Sequence, residues 1–231
     1  MIKALNPVKN RALSDDVLET IRHAIFSGKL RPGDSLREMQ LAKELSVSQA
    51  TVREALSKLE RYGLVVRVPN KETIVTRHSR KSVIERVTLR AHLEELAMNE
   101  AIKRLTPEAI KTLEAKLVRL SAAVMTNDYF ETSQLDLDFH RFIWQQADNV
   151  TLYEMLDQLT TPLFAFISVL RSESDQRLAD VVSPHDKLLS ILREGREPDI
   201  KEAVREHVFD SYQSFFDSGA ESLEEMLSAR S

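Results

Sequence analysis

Two short amphipathic segments joined by a tight turn constrain the first third of this 231-residue chain more than any other feature. Ser35 and Glu38 in "SLRE" have the spacing of a capping box, which predicts a helix that runs to about Leu45. After the short "SVS" link, Ser48 can cap another helix, "QATVREALSKLERYG", which ends at Gly63. Two helices in this arrangement form a helix-turn-helix, whose second helix presents its N-terminal residues to the DNA major groove.

The residues around this motif extend it into a winged domain. Ser14 can cap a preceding helix that ends at Gly28, and "LVVRVPNKETIVTRH" predicts two strands with a turn between them, as in a wing. Residues 1–78 carry 14 Lys and Arg against 9 Asp and Glu, a net charge of +5, whereas residues 79–231 carry 18 against 27, a net charge of −9. A basic module on an acidic body indicates that the first part of the chain meets a polyanion.

The polar side of the second helix of the motif supplies candidate DNA contacts. Its opposite face is apolar, so Arg53 is available for a guanine or a phosphate, and Gln49 for an adenine or a phosphate. The predicted DNA-binding residues are Arg37, Ser48, Gln49, Thr51, Arg53 and Lys71. The alternative is a helical hairpin with an ordinary solvated basic face, which the agreement of spacing, wing and charge disfavours.

Residues beyond the wing show helical periodicity and no strand pattern. The capping signals "SVIE" and "TPEA" open helices over 82–104 and 106–125, and further helices are predicted near 129–147, 151–170 (perturbed at Pro162), 173–182, 184–194, 198–218 and 221–230. The predicted fold is mainly α. It comprises an N-terminal winged helix-turn-helix over 8–76, a linker over 77–81, and an all-helical antiparallel bundle of six to seven helices over 82–220.

The stretch "SQLDLDFHRFIW" (133–144) places polar residues on an otherwise apolar helix. At about 100° per residue, Asp136 and His140 fall between two apolar groups, while Asp138 lies on the solvated arc. A buried carboxylate is costly unless it is compensated, and a structural Asp–His hydrogen bond or a metal would each compensate it. His185 and His207 also lie on apolar stripes of later helices. Three histidines and an aspartate that converge in one bundle favour a divalent metal.

The quoted motifs resemble two parts of a known family. "LRPGDSLREMQLAKELSVSQATVREALSKLERYGLV" resembles the winged helix-turn-helix of the GntR family of bacterial transcription regulators, with Gln49 and the wing tip "NKET" departing from the family's usual residues. "LRAHLEELA", "LDLDFHRFIW", "PHDKLLSIL" and "AVREHVFDSY" resemble the FCD effector domain of one GntR subfamily. The resemblance implies a homodimer on a palindromic double-stranded DNA operator. It also implies metal ligation by Asp136, His140, His185 and His207, with Arg90 binding the carboxylate of a small organic-acid effector.

These inferences leave three functions open. The first is a transcription regulator in which Zn²⁺, Ni²⁺ or Mn²⁺ holds a hydroxy, sugar or dicarboxylic acid. The second is a metal-dependent enzyme, since an open metal site could activate water, but no further general base is evident near the ligands. The third is a regulator whose metal is purely structural or is itself the signal.

Composition excludes several other classes of site. The chain has no cysteine, which excludes disulfides and thiolate metal sites and favours the reducing cytoplasm of a bacterium, where a DNA-binding protein would be nucleoid-associated. No apolar run is long enough to span a bilayer, so no membrane partner is expected. The remaining histidines, His23, His78 and His92, are interpreted as surface or interface residues. Arg171 is interpreted as part of a solvated turn, with a second cation of the pocket as the alternative.

Overall fold

The computed structural model describes residues 13–68, 72–174 and 178–221 of the chain. The N-terminal part contains three helices and a small sheet: α1 (Leu13–Phe26), β1 (Ser35–Leu36), α2 (Glu38–Glu44), α3 (Gln49–Arg61), β2 (Val65–Arg67) and β3 (Thr73–Val75). The strands are antiparallel and lie in the order β1-β3-β2. Helices α2 and α3 are the two helices of the predicted helix-turn-helix, and β2 and β3 are the predicted wing.

The start of α2 differs from the prediction. Ser35 does not open a capping box, because Ser35 and Leu36 form β1 and pair with Ile74 and Thr73 of β3. Leu36 is buried in the core of the domain, which favours the extended backbone over one more helical turn. Helix α2 therefore begins at Glu38, with Arg37 at the N-cap and no side-chain cap. Ser14 is not a cap either, since α1 already includes Leu13.

Helices make up the C-terminal part of the described chain. They are α4 (Arg80–Ala101), α5 (Pro107–Met125), α6 (Tyr129–Gln146), α7 (Val150–Ser174), α8 (Val182–Glu194), α9 (Ile200–Asp210) and α10 (Gln213–Asp217). Short 3₁₀ turns at Leu178–Val181 and Glu197–Asp199 precede α8 and α9. This confirms the predicted fold class, a winged helix-turn-helix followed by an all-helical domain. Within the described residues, no helix combines the length and the apolar character needed to cross a membrane.

Several helix boundaries were predicted wrongly. Ser79, not Ser82, caps α4, so the helix begins inside the predicted 77–81 linker. The described residues of the helix predicted over 173–182 belong to other elements, because α7 continues through Pro162 to Ser174, Leu178–Val181 form a 3₁₀ turn, and α8 begins at Val182. Pro162 removes one helical hydrogen bond, but the side chains from Thr160 to Arg171 are buried, and their packing outweighs that loss. The segment predicted as 198–218 breaks between α9 and α10, and 222–230 of the predicted last helix lie outside the described residues.

The N-terminal part packs directly on the bundle. One core cluster joins residues of α1 and α3, such as Phe26 and Leu56, to Trp144 of α6 and Phe164 of α7. The hydroxyl of Ser168 on α7 donates to the carbonyl of Phe26 at 2.8 Å, and both groups are buried. His78 is an interface residue: it is 7% exposed and lies edge-on to Phe166, whereas His23 and His92 are exposed.

Candidate functional site

Helix α6 turns Asp136 and His140 into the protein. Leu135, Phe139 and Ile143 enter the core of the bundle, and Leu137 and Trp144 enter the cluster shared with the N-terminal part. Asp136 and His140 lie between these two apolar faces and are 4% and 1% exposed. Asp138 lies on the outer side, where it pairs with Lys116 and its side chain is 47% exposed. All three residues therefore lie on the sides of α6 that were predicted from the sequence.

Two later helices direct histidines to the same point. His185 comes from the first turns of α8 and His207 from the last turn of α9, and both are buried. Their rings lie 5.1 Å and 4.9 Å from the His140 ring and 4.6 Å from each other. Asp136 Oδ1 lies 2.8 Å from His185 Nε2 and 3.5 Å from His140 Nε2. The structure thus brings together all four residues that were predicted as metal ligands.

The groups behind the imidazoles fix the nitrogen that faces inward. His140 Nδ1 lies 3.1 Å from Glu94 Oε2, and His185 Nδ1 lies 2.6 Å from the carbonyl of Val181. A carboxylate and a carbonyl can only accept, so each Nδ1 carries the hydrogen and each Nε2 presents a lone pair. A carboxylate or carbonyl behind the ring is the arrangement in which proteins hold metal-ligating histidines.

The inward-facing atoms of Asp136, His140 and His185 are hydrogen-bond acceptors, whereas no partner of His207 Nδ1 among the described residues fixes the tautomer of that ring. With His140 and His185 in these tautomers, the lone pair of His185 Nε2 faces Asp136 Oδ1, and His140 Nε2 lies 2.9 Å from His207 Nε2. Two acceptors at hydrogen-bond distance repel each other unless a proton or another cation lies between them. One nitrogen from each of His140, His185 and His207 lies within 4.8 Å of the other two, a spacing that could hold a metal ion, and Asp136 Oδ1 adjoins this group at His185.

Burial and neighbouring groups favour the metal-binding protonation states of Asp136, His140 and His207. Burial lowers the pKa of His140, and burial together with His185 and His140 lowers that of His207 well below its ordinary value. Burial alone would raise the pKa of Asp136, but its interactions with His185, including a hydrogen bond, and with His140 and Arg171 keep it below its ordinary value. Neutral imidazoles and an ionised carboxylate are the forms that coordinate a metal.

A buried arginine lies next to these ligands. Arg90 on α4 is 2% exposed, and its Nε donates to Glu94 Oε1 at 2.7 Å. Its Nη1 lies 3.4 Å from the hydroxyl of Tyr212, and its Nη2 lies 3.5 Å from His140 Nε2. The ring of Phe164 covers the guanidinium, with 4.8 Å from Cζ to the ring centroid. The effector-binding residue inferred from the resemblance therefore adjoins the four candidate ligands.

Three polar residues of the site were missed or misplaced from the sequence. Arg171 was interpreted as part of a solvated turn, but it is buried and its Nη1 lies 3.7 Å from Asp136 Oδ2. Glu94 and Tyr212 were not singled out. Glu94 follows Arg90 by four residues on the face of α4 that also holds Val87 and Met98, so a polar pair on an apolar face was the signal for it.

The DNA-facing candidates lie around the start of α3. Ser48 caps the helix, and its hydroxyl accepts from the backbone N–H of Thr51. Gln49 and Arg53 are exposed and both donate to Glu38, at distances between 2.8 and 3.1 Å. The Arg37 side chain is 72% exposed, and its Nε lies 3.8 Å from Glu72 Oε2. Lys71, the remaining candidate, lies outside the described residues.

Known proteins resemble both parts of the chain. Residues 13–75 match the model of bacterial regulatory proteins of the gntR family, and residues 85–210 match the FCD domain. The HTH-type transcriptional regulator YdhC of Bacillus subtilis is 27% identical over 90% of this chain and 89% of its own length. A probable D-xylose utilization operon transcriptional repressor of Paenarthrobacter nicotinovorans is 25% identical over 87% of both chains.

A solved structure shares the whole arrangement. E. coli McbR/YncC superposes with a TM-score of 0.75 at 23% identity and covers 89% of this chain and 100% of its own, so the likeness concerns the fold. The winged helix-turn-helix, the helical domain behind it and the two family matches agree with one another. The chain belongs to the GntR family of DNA-binding transcription regulators, in the group that carries an FCD domain, and is not an enzyme.

Proposed function

We propose that the chain acts as a homodimeric one-component regulator whose DNA binding is controlled by a small organic acid at a divalent metal in the helical bundle. The observation that supports this most directly is the buried cluster in which imidazole nitrogens and the Asp136 carboxylate oxygen lie 2.8 to 3.5 Å from their neighbours. A divalent cation bound by these atoms would relieve the repulsion between facing lone pairs.

In this proposal Asp136, His140, His185 and His207 hold Zn²⁺, Ni²⁺ or Mn²⁺, all of which accept imidazole and carboxylate ligands. With four protein ligands, Ni²⁺ or Mn²⁺ would keep open positions, whereas Zn²⁺ would have to expand its usual coordination by four ligands. The Lewis acidity of the metal would supply binding energy for a carboxylate or hydroxyl oxygen. Glu94 and the carbonyl of Val181 orient two of the imidazoles from behind.

Arg90 is the proposed partner of the acid's carboxylate. Its Nε is held by Glu94, but both Nη groups face the side of the site on which Tyr212 and His140 lie. A guanidinium has five N–H donors in a fixed fork, so Arg90 can keep its bond to Glu94 while it binds a carboxylate through the Nη groups. Hydroxy, sugar and dicarboxylic acids offer oxygens to both the metal and the arginine.

Entry of an acid has to change the packing around the site. The four candidate ligands are 1% to 6% exposed and Arg90 is 2% exposed, so neighbouring side chains must move to admit a ligand. A ligand shifts an equilibrium only if it binds one arrangement better than the other, and displaced packing provides that difference.

Helix α7 offers a route from the site to the DNA-binding part. Phe164 covers Arg90 on one side and belongs to the core cluster with α1 and α3 on the other. Two residues earlier, Pro162 lies against Gly63 at the end of α3. We propose that movement of Phe164 on acid binding is passed through α7 to α3, and so changes the relative placement of the two modules of a dimer on a palindromic operator.

Thermal unfolding combined with chelation tests this proposal. Metal content of the purified chain is measured first by elemental analysis, and melting temperatures are then recorded with a library of organic acids, with and without EDTA. We expect at least one acid to raise the melting temperature only when the metal is present, and the same acid to change affinity for the operator. Acid stabilisation that survives complete removal of the metal would contradict the proposed mode of binding.

A second candidate follows from the burial of the site. Because the ligands lie inside the core, the metal could serve the stability of the bundle or be the signal itself. In that case EDTA lowers the melting temperature, while no acid has an effect in the presence of metal.

We place the modules of the proposed regulator at 8–76 and 82–220, and the matched ranges 13–75 and 85–210 lie inside these bounds.

A further inference from the structure

One carboxylate holds both candidate base-reading side chains of α3. Arg53 donates from Nε to Glu38 Oε1 and Oε2, both at 3.1 Å, and from Nη2 to Oε2 at 2.8 Å. Gln49 donates from Nε2 to Glu38 Oε2 at 2.9 Å. Gln49 and Arg53 are four residues apart on one helix, so they share a face, and Glu38 at the start of α2 lies against that face.

The chemistry of Glu38 fixes which donors remain free. The hydrogen bond from Arg53, which outweighs partial burial, and the bond from Gln49 hold the pKa of Glu38 below its ordinary value, so the group is an ionised acceptor at neutral pH. Glu38 takes the edge of the Arg53 guanidinium formed by Nε and one Nη2 hydrogen. The opposite edge, formed by Nη1 and the other Nη2 hydrogen, is the fork that matches O6 and N7 of guanine.

The same reasoning orients Gln49. Because a carboxylate cannot donate, the atom of Gln49 that meets Glu38 must be the amide nitrogen. One amide hydrogen is used in this contact, which leaves the other hydrogen and Oε1 for an adenine edge, whose N7 accepts and whose N6 donates. Without Glu38 the amide can rotate by half a turn and offer the reverse pattern.

We propose that Glu38 is a positioning residue that sets the base preference of the regulator. It holds Arg53 with its free fork toward guanine and Gln49 with its amide in the orientation that reads adenine. The proposal rests on the predicted contacts of Gln49 and Arg53 with base edges, and the Arg53 arm of the test below examines that premise. Glu38 itself contributes a negative charge beside the DNA, so it weakens sequence-independent binding while it sharpens readout.

Loss of Glu38 should strengthen sequence-independent DNA binding but weaken discrimination between bases. A purely structural role would instead weaken both, so the two measurements distinguish positioning from structure. The preferred operator of the full-length chain is selected from randomised duplex DNA without added acid, and affinities are then measured at one salt concentration for single-base variants and unrelated DNA. For Glu38→Gln we expect affinity for unrelated DNA to rise several-fold, because one negative charge is lost. Discrimination at the guanine and adenine positions should fall by about tenfold, because the readers are no longer fixed.

Two variants separate charge from position. Glu38→Asp keeps the charge but withdraws the carboxylate by one methylene, so unrelated DNA should bind as in the wild type while discrimination falls as in Glu38→Gln. Glu60→Gln is the matched control, because Glu60 makes another exposed ion pair of this domain, with Arg67 at 3.2 Å. It should leave base preferences unchanged.

Three outcomes would overturn the proposal. If Glu38→Gln raises affinity for all DNA equally and keeps the base preferences, Glu38 only competes with DNA for Arg53. If it lowers affinity for operator and unrelated DNA together, and the melting temperature with them, its role is structural. If Arg53→Gln leaves every base preference unchanged, the premise that Arg53 reads a base is wrong, independently of the acid and metal proposed for the bundle.

Discussion

At the scale of single residues, His140 makes most of the contacts that define the site. Its Nδ1 is held by Glu94, its Nε2 faces His207, Asp136 and Arg90, and Phe164 lies 5.9 Å from its ring. Asp138, two residues earlier, makes none of these contacts and pairs with Lys116 outside. The two residues therefore form a natural pair for testing which face of α6 carries the function.

His140→Ala should abolish metal retention, and Asp138→Ala should leave it intact. The first change removes an inward nitrogen and leaves Glu94 without its imidazole partner, whereas the second removes only an exposed ion pair, which contributes about 0–1 kcal/mol. Metal per chain is measured by elemental analysis after gel filtration. Equal loss of metal in both variants would show that the assignment of the two faces is wrong.

His78 should make stability depend on pH. Burial, with a smaller effect from Arg86, lowers its pKa from 6.5 to about 4. His78 is therefore protonated below about pH 6.5 in the unfolded chain but only below about pH 4 in the folded chain. Between these values the unfolded chain binds more protons, so the free energy of unfolding falls as the pH falls. The loss between pH 7 and pH 5 should be about 2 kcal/mol.

Chemical unfolding at the two pH values measures this effect. The difference in unfolding free energy between wild type and His78→Leu should shrink or reverse on acidification, because the variant lacks the titrating group. His92→Leu is the control, since His92 is exposed, and it should follow the wild type at both pH values. A pH response in His78→Leu equal to that of the wild type would count against this explanation.

At the scale of elements, α6 shows where sequence reasoning succeeded, and α2 and α7 show where it failed. Periodicity placed Asp136, Asp138 and His140 correctly, because which side of α6 is buried depends on that helix alone. The boundaries of α2 and α7 were wrong because distant contacts decide them: β3 pairs with Ser35, and the packing of α7 outweighs Pro162. The i,i+4 pair of Arg90 and Glu94 could have been read from α4 alone, but the contact of Arg90 with Tyr212 joins residues 122 positions apart, which no local pattern contains.

Gly63 is where α7 meets the end of α3. Its φ of +69° is strained for other residues, and an added Cβ would lie 3.0 Å from Pro162 Cγ. Gly195 has the same φ with no atom within 4 Å of an added Cβ, so it is a matched control. Gly195→Ala should cost about 1–2 kcal/mol from backbone strain alone, and Gly63→Ala should cost more.

The loss of unfolding free energy in Gly63→Ala beyond that in Gly195→Ala measures the contact between α3 and α7. It should disappear in a double-mutant cycle with Pro162→Ala, measured as unfolding free energies, because that change removes the clashing ring. Equal losses for Gly63→Ala and Gly195→Ala would mean that α3 and α7 are not in close contact at this point.

Phe164→Leu should weaken the coupling between acid and DNA without abolishing either interaction. Leucine fills part of the space but no longer covers the Arg90 guanidinium, so displacement of Arg90 is transmitted less directly to α7. The factor by which a bound acid changes operator affinity, typically about 5–150-fold in such systems, should fall several-fold while metal content is kept.

Operator titrations at zero and saturating acid measure this factor. Phe209→Leu is the control, because Phe209 is partly buried on α9 and stacks on Arg205 away from the DNA-binding part. An unchanged coupling factor in Phe164→Leu would remove Phe164 from the proposed route.

At the scale of the whole molecule, charge is divided between the two parts. A net charge of +5 in residues 1–78 favours DNA at one end, and −9 in residues 79–231 repels it from the bundle, so both charges orient the molecule with its wing and α3 toward the duplex. Sequence-independent attraction then comes from exposed basic side chains around α2 and α3. The side chain of Arg37 is 72% exposed, against 58% for Arg53, and its contact with Glu72 is 3.8 Å long.

The salt dependence of DNA binding should therefore separate positioning on the backbone from readout of the bases. Arg37→Gln is expected to weaken binding to all sequences alike and to reduce the slope of log affinity against log salt by about 1, because one phosphate contact is lost. Arg53→Gln should instead relax the preference for guanine at one position. Affinities for operator and unrelated DNA between low and moderate salt measure both effects, and a loss of base preference in Arg37→Gln would place that residue in a groove rather than on the backbone.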